Sequence, residues 1–302
     1  VISYNAAISA CERSQSWSRA LALLVEMRRA RLAPDVITFN ALISASEKSQ
    51  QWEWALAFLR EMQECLLIPN LVTYNAAVSA LEKGEQWERS LAVLLGMRAG
   101  AVHPDVISYS AAISATGKGQ RWQLSLALLR EMPGKGLAPN LITCNAAVSA
   151  CEKGQRWEHA LGILREVEGM QFTPDLITYN AAVSACEKGA EWQQALLLLR
   201  KLDEQLLQPD TISHNAVISA LEKGGQPERA LAVLRRMVAR ALEVTVVSCN
   251  AAMLACCGGR QWERALELLD AMSARGVEPD ANTVGLLLME CEQRGLLDRE
   301  AS

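Results

Sequence analysis

The chain reads as an all-α solenoid, a superhelix of stacked helix-turn-helix hairpins, on three observations. The sequence repeats at a strict 35-residue period from Val1 to Asp280 without insertion or deletion, and self-similarity at such a period marks a solenoid. Each period holds two stretches with apolar residues at helical spacing. Aromatic residues are only 5 % of the 302, which suits helices better than strands. The expected units are 1–35, 36–70, 71–105, 106–140, 141–175, 176–210, 211–245 and 246–280, with 281–302 left as a partial ninth unit or C-terminal cap.

The third unit illustrates the elements in order. Tyr74, Ala77, Val78 and Leu81 fall at i, i+3, i+4 and i+7, which predicts a first helix from about Tyr74 to Lys83. Gly84 is expected to stop it, as Gly119, Gly154, Gly189, Gly224 and Gly259 do in later units. A second helix carries Trp87, Leu91, Leu94 and Met97 on one face. Pro104 follows it and is able to end it, as Pro34, Pro69, Pro139, Pro174, Pro209 and Pro279 are elsewhere, whereas Val244 stands there in the seventh unit. Trp17, Trp52, Trp87, Trp122, Trp157, Trp192 and Trp262 all open a second helix, and Pro227 replaces the indole in the seventh unit. Such an indole could stack on a base or fill the hairpin seam; aromatic residues at helical spacing are usually core, so packing is expected. Two helices joined by a short turn cannot bury both apolar faces alone. Each hairpin therefore packs on its neighbours, with first helices lining one wall and second helices the other.

Composition excludes several classes. The net charge is −4, so any surface for nucleic acid must be local. No apolar run approaches the roughly 18 residues of a membrane helix: Ala195 to Leu199 is soon followed by Arg200, Lys201 and Asp203. The nine cysteines recur at equivalent places, Cys11, Cys151, Cys186, Cys256 and Cys291 in one and Cys144 and Cys249 in another. Stacked helices lie some 8–10 Å apart, too far for a disulfide, which favours a reduced compartment. With no Cys-x-x-Cys pair and with His103, His159 and His214 at three different repeat places, neither a metal set nor a cofactor site is expected. The chain begins inside a repeat, without an initiator Met or a targeting segment, so further residues, a targeting segment and repeats among them, are expected to precede it.

The pattern Val-x-Ser/Thr-Tyr-Asn-x-x-Ile/Val-Ser-Ala, then Glu-Lys-Gly-x-x-Trp-x-x-Ala-Leu-x-Leu-Leu-x-x-Met, then Pro-Asp, resembles the pentatricopeptide repeat over almost the whole chain. Tetratricopeptide repeats run at 34 residues and place Leu-Gly and Tyr differently. The uniform length resembles the pure 35-residue P-type subclass. Nothing resembles a deaminase or nuclease domain, so this chain is not expected to be an enzyme. The resemblance implies a right-handed superhelix and selective binding of single-stranded RNA. It also implies an organellar address, chloroplast or mitochondrion, a role in RNA stabilisation, processing or translation, and protein partners that supply any catalysis.

In this family the fifth and last residues of a repeat read a base. The resemblance thus assigns base reading to Asn5 with Asp35, Asn40 with Asn70, Asn75 with Asp105, Ser110 with Asn140, Asn145 with Asp175, Asn180 with Asp210, Asn215 with Thr245 and Asn250 with Asp280. Asn costs up to about 0.7 kcal/mol against Ala inside a helix, so its return in seven of eight units asks for a reason. Contact with a Watson–Crick edge is one, and a local bond to the backbone is another. Asp, Asn and Thr in the last place could equally be N-caps, although Ser or Thr two residues into the helix, such as Ser3, Thr38 and Thr73, could cap instead. An aliphatic row, Ile2, Ile37, Val72, Ile107, Ile142, Ile177, Ile212 and Val247, is implied to clamp each base, and inter-repeat packing is its alternative. Arg13, Lys48, Lys83, Lys118, Lys153, Lys188 and Lys223 end the first helices, where they either meet phosphates or answer the helix dipole. Carrying the pairing rule over gives 5′-UCUAUUYU-3′, the seventh letter a pyrimidine. A helical scaffold for a protein partner is the competing function.

Overall fold

The computed structural model describes residues 1–285 except 15, 100–101, 171, 275–276, 282 and 284. The partial ninth unit therefore lies outside the described residues but for Ala281, Thr283 and Gly285, and Cys291 falls there too. The described residues form an all-α repeat solenoid of sixteen helices. Odd-numbered first helices are α1 (Ile2–Arg13), α3 (Val36–Lys48), α5 (Leu71–Lys83), α7 (Val106–Lys118), α9 (Leu141–Lys153), α11 (Leu176–Lys188), α13 (Thr211–Lys223) and α15 (Val246–Gly258). Second helices are α2 (Trp17–Arg29), α4 (Trp52–Glu64), α6 (Trp87–Ala99), α8 (Trp122–Gly134), α10 (Trp157–Gly169), α12 (Trp192–Glu204), α14 (Pro227–Ala239) and α16 (Trp262–Ala274).

The chain divides into two compact units, Val1–Gly154 and Gln155–Ser302. In the first, α1, α3, α5, α7 and α9 pack in succession, and α2, α4, α6 and α8 each pack on their own first helix or on the one that follows. In the second, α11, α13 and α15 pack in succession, with α10, α12 and α14 each seated on the next first helix. Residues such as Tyr109, Ile113, Met132, Val183 and Leu202 are wholly buried between these layers. The core is thus a continuous seam within each unit, as solenoid stacking requires.

First helices start earlier than apolar spacing alone predicts, at Leu71 in the third unit instead of Tyr74. The last residue of the preceding unit is the reason. Asp35, Asn70, Asp105, Asn140, Asp175, Asp210 and Thr245 are the N-caps, each accepting the backbone N–H three residues on. The capping alternative for this row is therefore real, and the Ser or Thr expected as a rival cap instead occupies the third helical position.

The first helices end where expected, with Gly84, Gly119, Gly154, Gly189, Gly224 and Gly259 as C-caps, but not through a left-handed glycine. Gly84, Gly119 and their equivalents have ordinary negative φ; the left-handed residue is the next one, Glu85, Gln120, Gln155, Ala190 or Arg260 at φ 55–58°. The glycine is needed because the tryptophan of the preceding unit lies against it: a Cβ at Gly84, Gly119, Gly154, Gly189 or Gly224 would overlap Trp52, Trp87, Trp122, Trp157 or Trp192. The indoles are therefore packing residues, and Pro227 fills the same place against Gly259. Likewise the prolines do not stop the second helices, which end ahead of them at left-handed residues such as Arg31, Leu66 and Leu206.

Gly119→Ala should accordingly lower stability by about 1–3 kcal/mol through overpacking against Trp87. Gly96→Ala on α6, where a Cβ meets nothing within 4 Å, should stabilise by about 0.5–1 kcal/mol. Thermal denaturation of the two variants, with Tm moving in opposite directions, checks the assignment.

No disulfide joins the described cysteines. Burial pushes the Cys151 and Cys186 thiols up to about 12, which makes them packing groups with no thiolate at neutral pH. Among the described residues no helix is long and apolar enough to cross a membrane, and no cluster of His, Cys, Asp or Glu could hold a metal ion.

Candidate nucleic-acid interface

The three polar and apolar rows lie on the first turns of the first helices, because each last-residue cap fixes where its helix begins. The aliphatic row is the most exposed large apolar series in the protein: Ile2, Ile37, Val72, Ile107, Ile142, Ile177, Ile212 and Val247 are 61–86 % accessible. Most of each side chain therefore lies outside the inter-repeat seam. Leaving apolar surface in water at the same register in eight successive units costs free energy each time, about 25 cal/mol per Å².

Beside this row the amides are half-buried, Asn5 most deeply at 7 % exposed. In five units the fifth and last residues, separated by 30 in sequence, are brought into hydrogen-bonding distance. Asn5 Nδ2 donates to the Asp35 carboxylate at 3.0 and 3.2 Å, Asn75 Nδ2 to Asp105 at 3.2 Å, Asn180 Nδ2 to Asp210 at 3.3 and 3.4 Å, and Asn250 Nδ2 to Asp280 at 3.3 Å. In the seventh unit Asn215 Nδ2 donates to Thr245 Oγ1 at 3.4 Å. Asn145 is half-buried on α9, and Asp175 caps α11 through Thr178.

A third member went unassigned in the sequence. The hydroxyl at the third place of the following unit closes each pair: Thr38 Oγ1 donates to Asn5 Oδ1 at 2.6 Å, Thr73 Oγ1 to Asn40 Oδ1 at 2.5 Å, Ser248 Oγ to Asn215 Oδ1 at 2.5 Å, and Ser108 Oγ to Asn75 Oδ1. The same hydroxyls lie 2.7–3.0 Å from the capping side chain. Thr38, Thr73, Ser108, Thr143, Thr178, Ser213, Ser248 and Thr283 are fully buried. The available signal was their restriction to Ser and Thr in every unit. Ser110, alone in its row, donates to the Val106 carbonyl and lies 2.7 Å from Thr143 Oγ1, leaving the space of an amide open.

These bonds decide what remains for a ligand. An Asp cap uses Oδ1 for the helix N–H and has Oδ2 as a further acceptor, which in Asp35 receives Asn5 Nδ2 at 3.2 Å and keeps spare lone-pair capacity; burial raises the Asp35 pKa, but the bonds from Thr38 and Asn5 outweigh it and hold the carboxyl below its ordinary value. It is an acceptor. An Asn cap spends its single oxygen on the helix, Asn70 Oδ1 accepting from Thr73 N at 3.0 Å and Oγ1 at 2.9 Å, so its outward group is a donor NH₂.

The cationic row is less free than its sequence suggests. Lys48, Lys83, Lys118 and Lys223 each pair with a carboxylate of the preceding unit, Glu12, Glu47, Glu82 and Glu187, at 2.5–2.8 Å. Lys153 is exposed, and Gly117 stands where that carboxylate would be.

The hairpin stack with its repeated amide, cap and exposed aliphatic rows defines a modular helical-repeat protein. Sequence models place it further: those of the PPR repeat family match residues 1–47, 34–83 and 244–292, the pentatricopeptide repeat domain matches 127–188, and the PPR repeat matches 107–137 and 212–241. The chain belongs to the pentatricopeptide repeat family. Its fold is similar to that of the pentatricopeptide repeat protein PPR10 from maize, with a TM-score of 0.84 and 24 % identity over 98 % of this chain and 43 % of that one. It is also similar to PPR10 in complex with an 18-nt psaJ RNA element, with a TM-score of 0.79 and 24 % identity over 95 % of this chain and 42 % of that one. The chain thus spans about two fifths of these solved relatives. No curated protein matches it.

Proposed function

We propose that this chain is a sequence-selective, single-stranded RNA-binding protein of the P-type subclass. It acts without catalysis of its own in organellar RNA stabilisation, processing or translation, and protein partners supply any chemistry. The observation that carries this reading is the aliphatic row, 61–86 % exposed and set beside paired polar side chains whose outward atoms match base edges. Each base is proposed to sit between aliphatic side chains of neighbouring units while one polar pair reads its edge. An Asp cap offers an acceptor to uracil N3–H and an Asn cap a donor to cytosine N3, while the short Ser110 leaves room for a purine. In chain order the pairs spell 5′-UCUAUUYU-3′. That PPR10 has been solved with an RNA element supports the reading at the level of the family.

The test is binding of the purified chain to labelled 5′-UCUAUUCU-3′ in neutral flanks, against a scrambled RNA and the same sequence as DNA, over a salt series. Selective binding to the intended RNA is the expected result; no RNA binding near physiological salt overturns the proposal and leaves a protein-binding scaffold. Seven free cations would give a log–log salt slope of about −5 at −0.7 per phosphate. Because four of the lysines are held by glutamates, the expected slope is shallower than about −5, with Lys153 as the first phosphate contact. A slope near −5 would mean that the ion pairs open on binding.

A further inference from the structure

We propose that the buried hydroxyl at the third place of each unit is a positioning residue, which orients the reading amide of the unit before it and so sets the base preference of that earlier unit. The proposal rests on the RNA-binding reading above and deepens it: the reading head is three residues from two successive repeats.

The argument starts from the amide itself. The two ends of an Asn side chain have nearly the same shape and opposite hydrogen-bonding character, so a half-turn exchanges donor for acceptor. An amide that discriminates between bases must therefore be held at both ends. In the sixth unit Asn180 Nδ2 lies 3.3 and 3.4 Å from the two Asp210 oxygens, and Asn180 Oδ1 lies 2.5 Å from Ser213 Oγ. Ser213 Oγ is also 2.8 Å from Asp210 Oδ1, so its single proton links both reading side chains. The hydroxyl has no exposure to solvent, and no ligand would touch it.

The helix cap does not depend on this hydroxyl. Ser213 N donates to Asp210 Oδ1 at 2.8 Å through the backbone, a bond that Ser213→Ala keeps. Removing the hydroxyl leaves Asn180 Oδ1 without its donor, and the amide is free to turn that oxygen toward the base. The same closure recurs at Asn5 with Thr38, Asn215 with Ser248 and Asn250 with Thr283, at 2.5–2.6 Å. Either Ser or Thr performs it, which is why only a hydroxyl, and neither a fixed size nor a charge, recurs at this place.

The experiment compares the wild-type chain, Ser213→Ala and Ser213→Thr for binding to RNA carrying U or C at the sixth letter, with the third letter varied in parallel as an internal control. Ser213→Ala should reduce the U-over-C ratio at letter six by about fivefold, equivalent to about 1 kcal/mol. The ratio at letter three should be unchanged, and Ser213→Thr should restore discrimination at letter six. The Asn180 side-chain amide signals in a nitrogen-15 NMR spectrum supply a readout without RNA: they should move in Ser213→Ala and return in Ser213→Thr. Equal weakening toward every RNA with an unchanged ratio at letter six would overturn the proposal, as would unmoved Asn180 amide signals in folded Ser213→Ala. Absence of RNA binding by the wild-type chain would instead bring down the RNA-binding reading, and this proposal with it.

Discussion

On the proposed reading, Asp105→Asn should convert the third letter from U to C, with the preference swinging by about 10- to 100-fold for a hydrogen bond to a charged group gained or lost. The substitution is close to a pure test of recognition, because Asn already serves as the cap elsewhere. Asn70 accepts from Thr73 N at 3.0 Å and Asn140 from Thr143 N at 2.9 Å, as Asp105 does from Ser108 N at 2.9 Å. Helix α7 should therefore start at the same residue with its stability nearly unchanged. What differs is the group left over: Oδ2, which accepts from Asn75 Nδ2 at 3.2 Å and keeps further acceptor capacity, becomes an NH₂. Equilibrium binding to RNAs carrying U or C at letter three, with circular dichroism to follow stability, checks both halves. Loss of binding to both RNAs together with a lower Tm would assign the carboxylate to the fold alone.

The second large effect is expected from Ile107→Ala combined with Ile142→Ala. Both side chains are largely in water, 63 % and 69 % exposed, so truncation should change stability by no more than about 0.5 kcal/mol. If the fourth base sits between them, the lost burial weakens RNA binding by about tenfold or more for each position, at roughly 0.8 kcal/mol per buried methylene. A drop in stability with unchanged RNA affinity would place these residues in repeat packing. The two readouts move oppositely under the two roles, and the competing protein-scaffold function predicts no RNA effect at all.

The comparison between sequence and structure is instructive at particular places. The 35-residue period, the helical hairpins and the packing role of Trp87 follow from apolar spacing, which is a local property of the chain. The proposed reading rows follow from the family resemblance and the unexplained return of Asn. The start of α5 was misplaced by three residues, because apolar spacing is silent about Leu71 to Thr73, where a polar cap decides the helix boundary. Gly119 ends α7 as expected, but the left-handed residue is the next one, Gln120. The glycine answers a tryptophan of another repeat.

By itself, then, the amino-acid sequence determined the repeat length, the helical class and the rows of equivalent residues, since these depend on residue type at fixed intervals along one helix or one period. Tertiary structure alone decided which atoms remain available. The Asn–Asp pairs join residues 30 apart, the hydroxyl closures join residues 33 apart, and the Lys–Glu pairs that neutralise the basic row join residues 36 apart. No local pattern encodes such partnerships. They exist only when stacking brings the start of one hairpin against the next, and it is their hydrogen bonds that turn rows of ordinary polar side chains into oriented donors and acceptors.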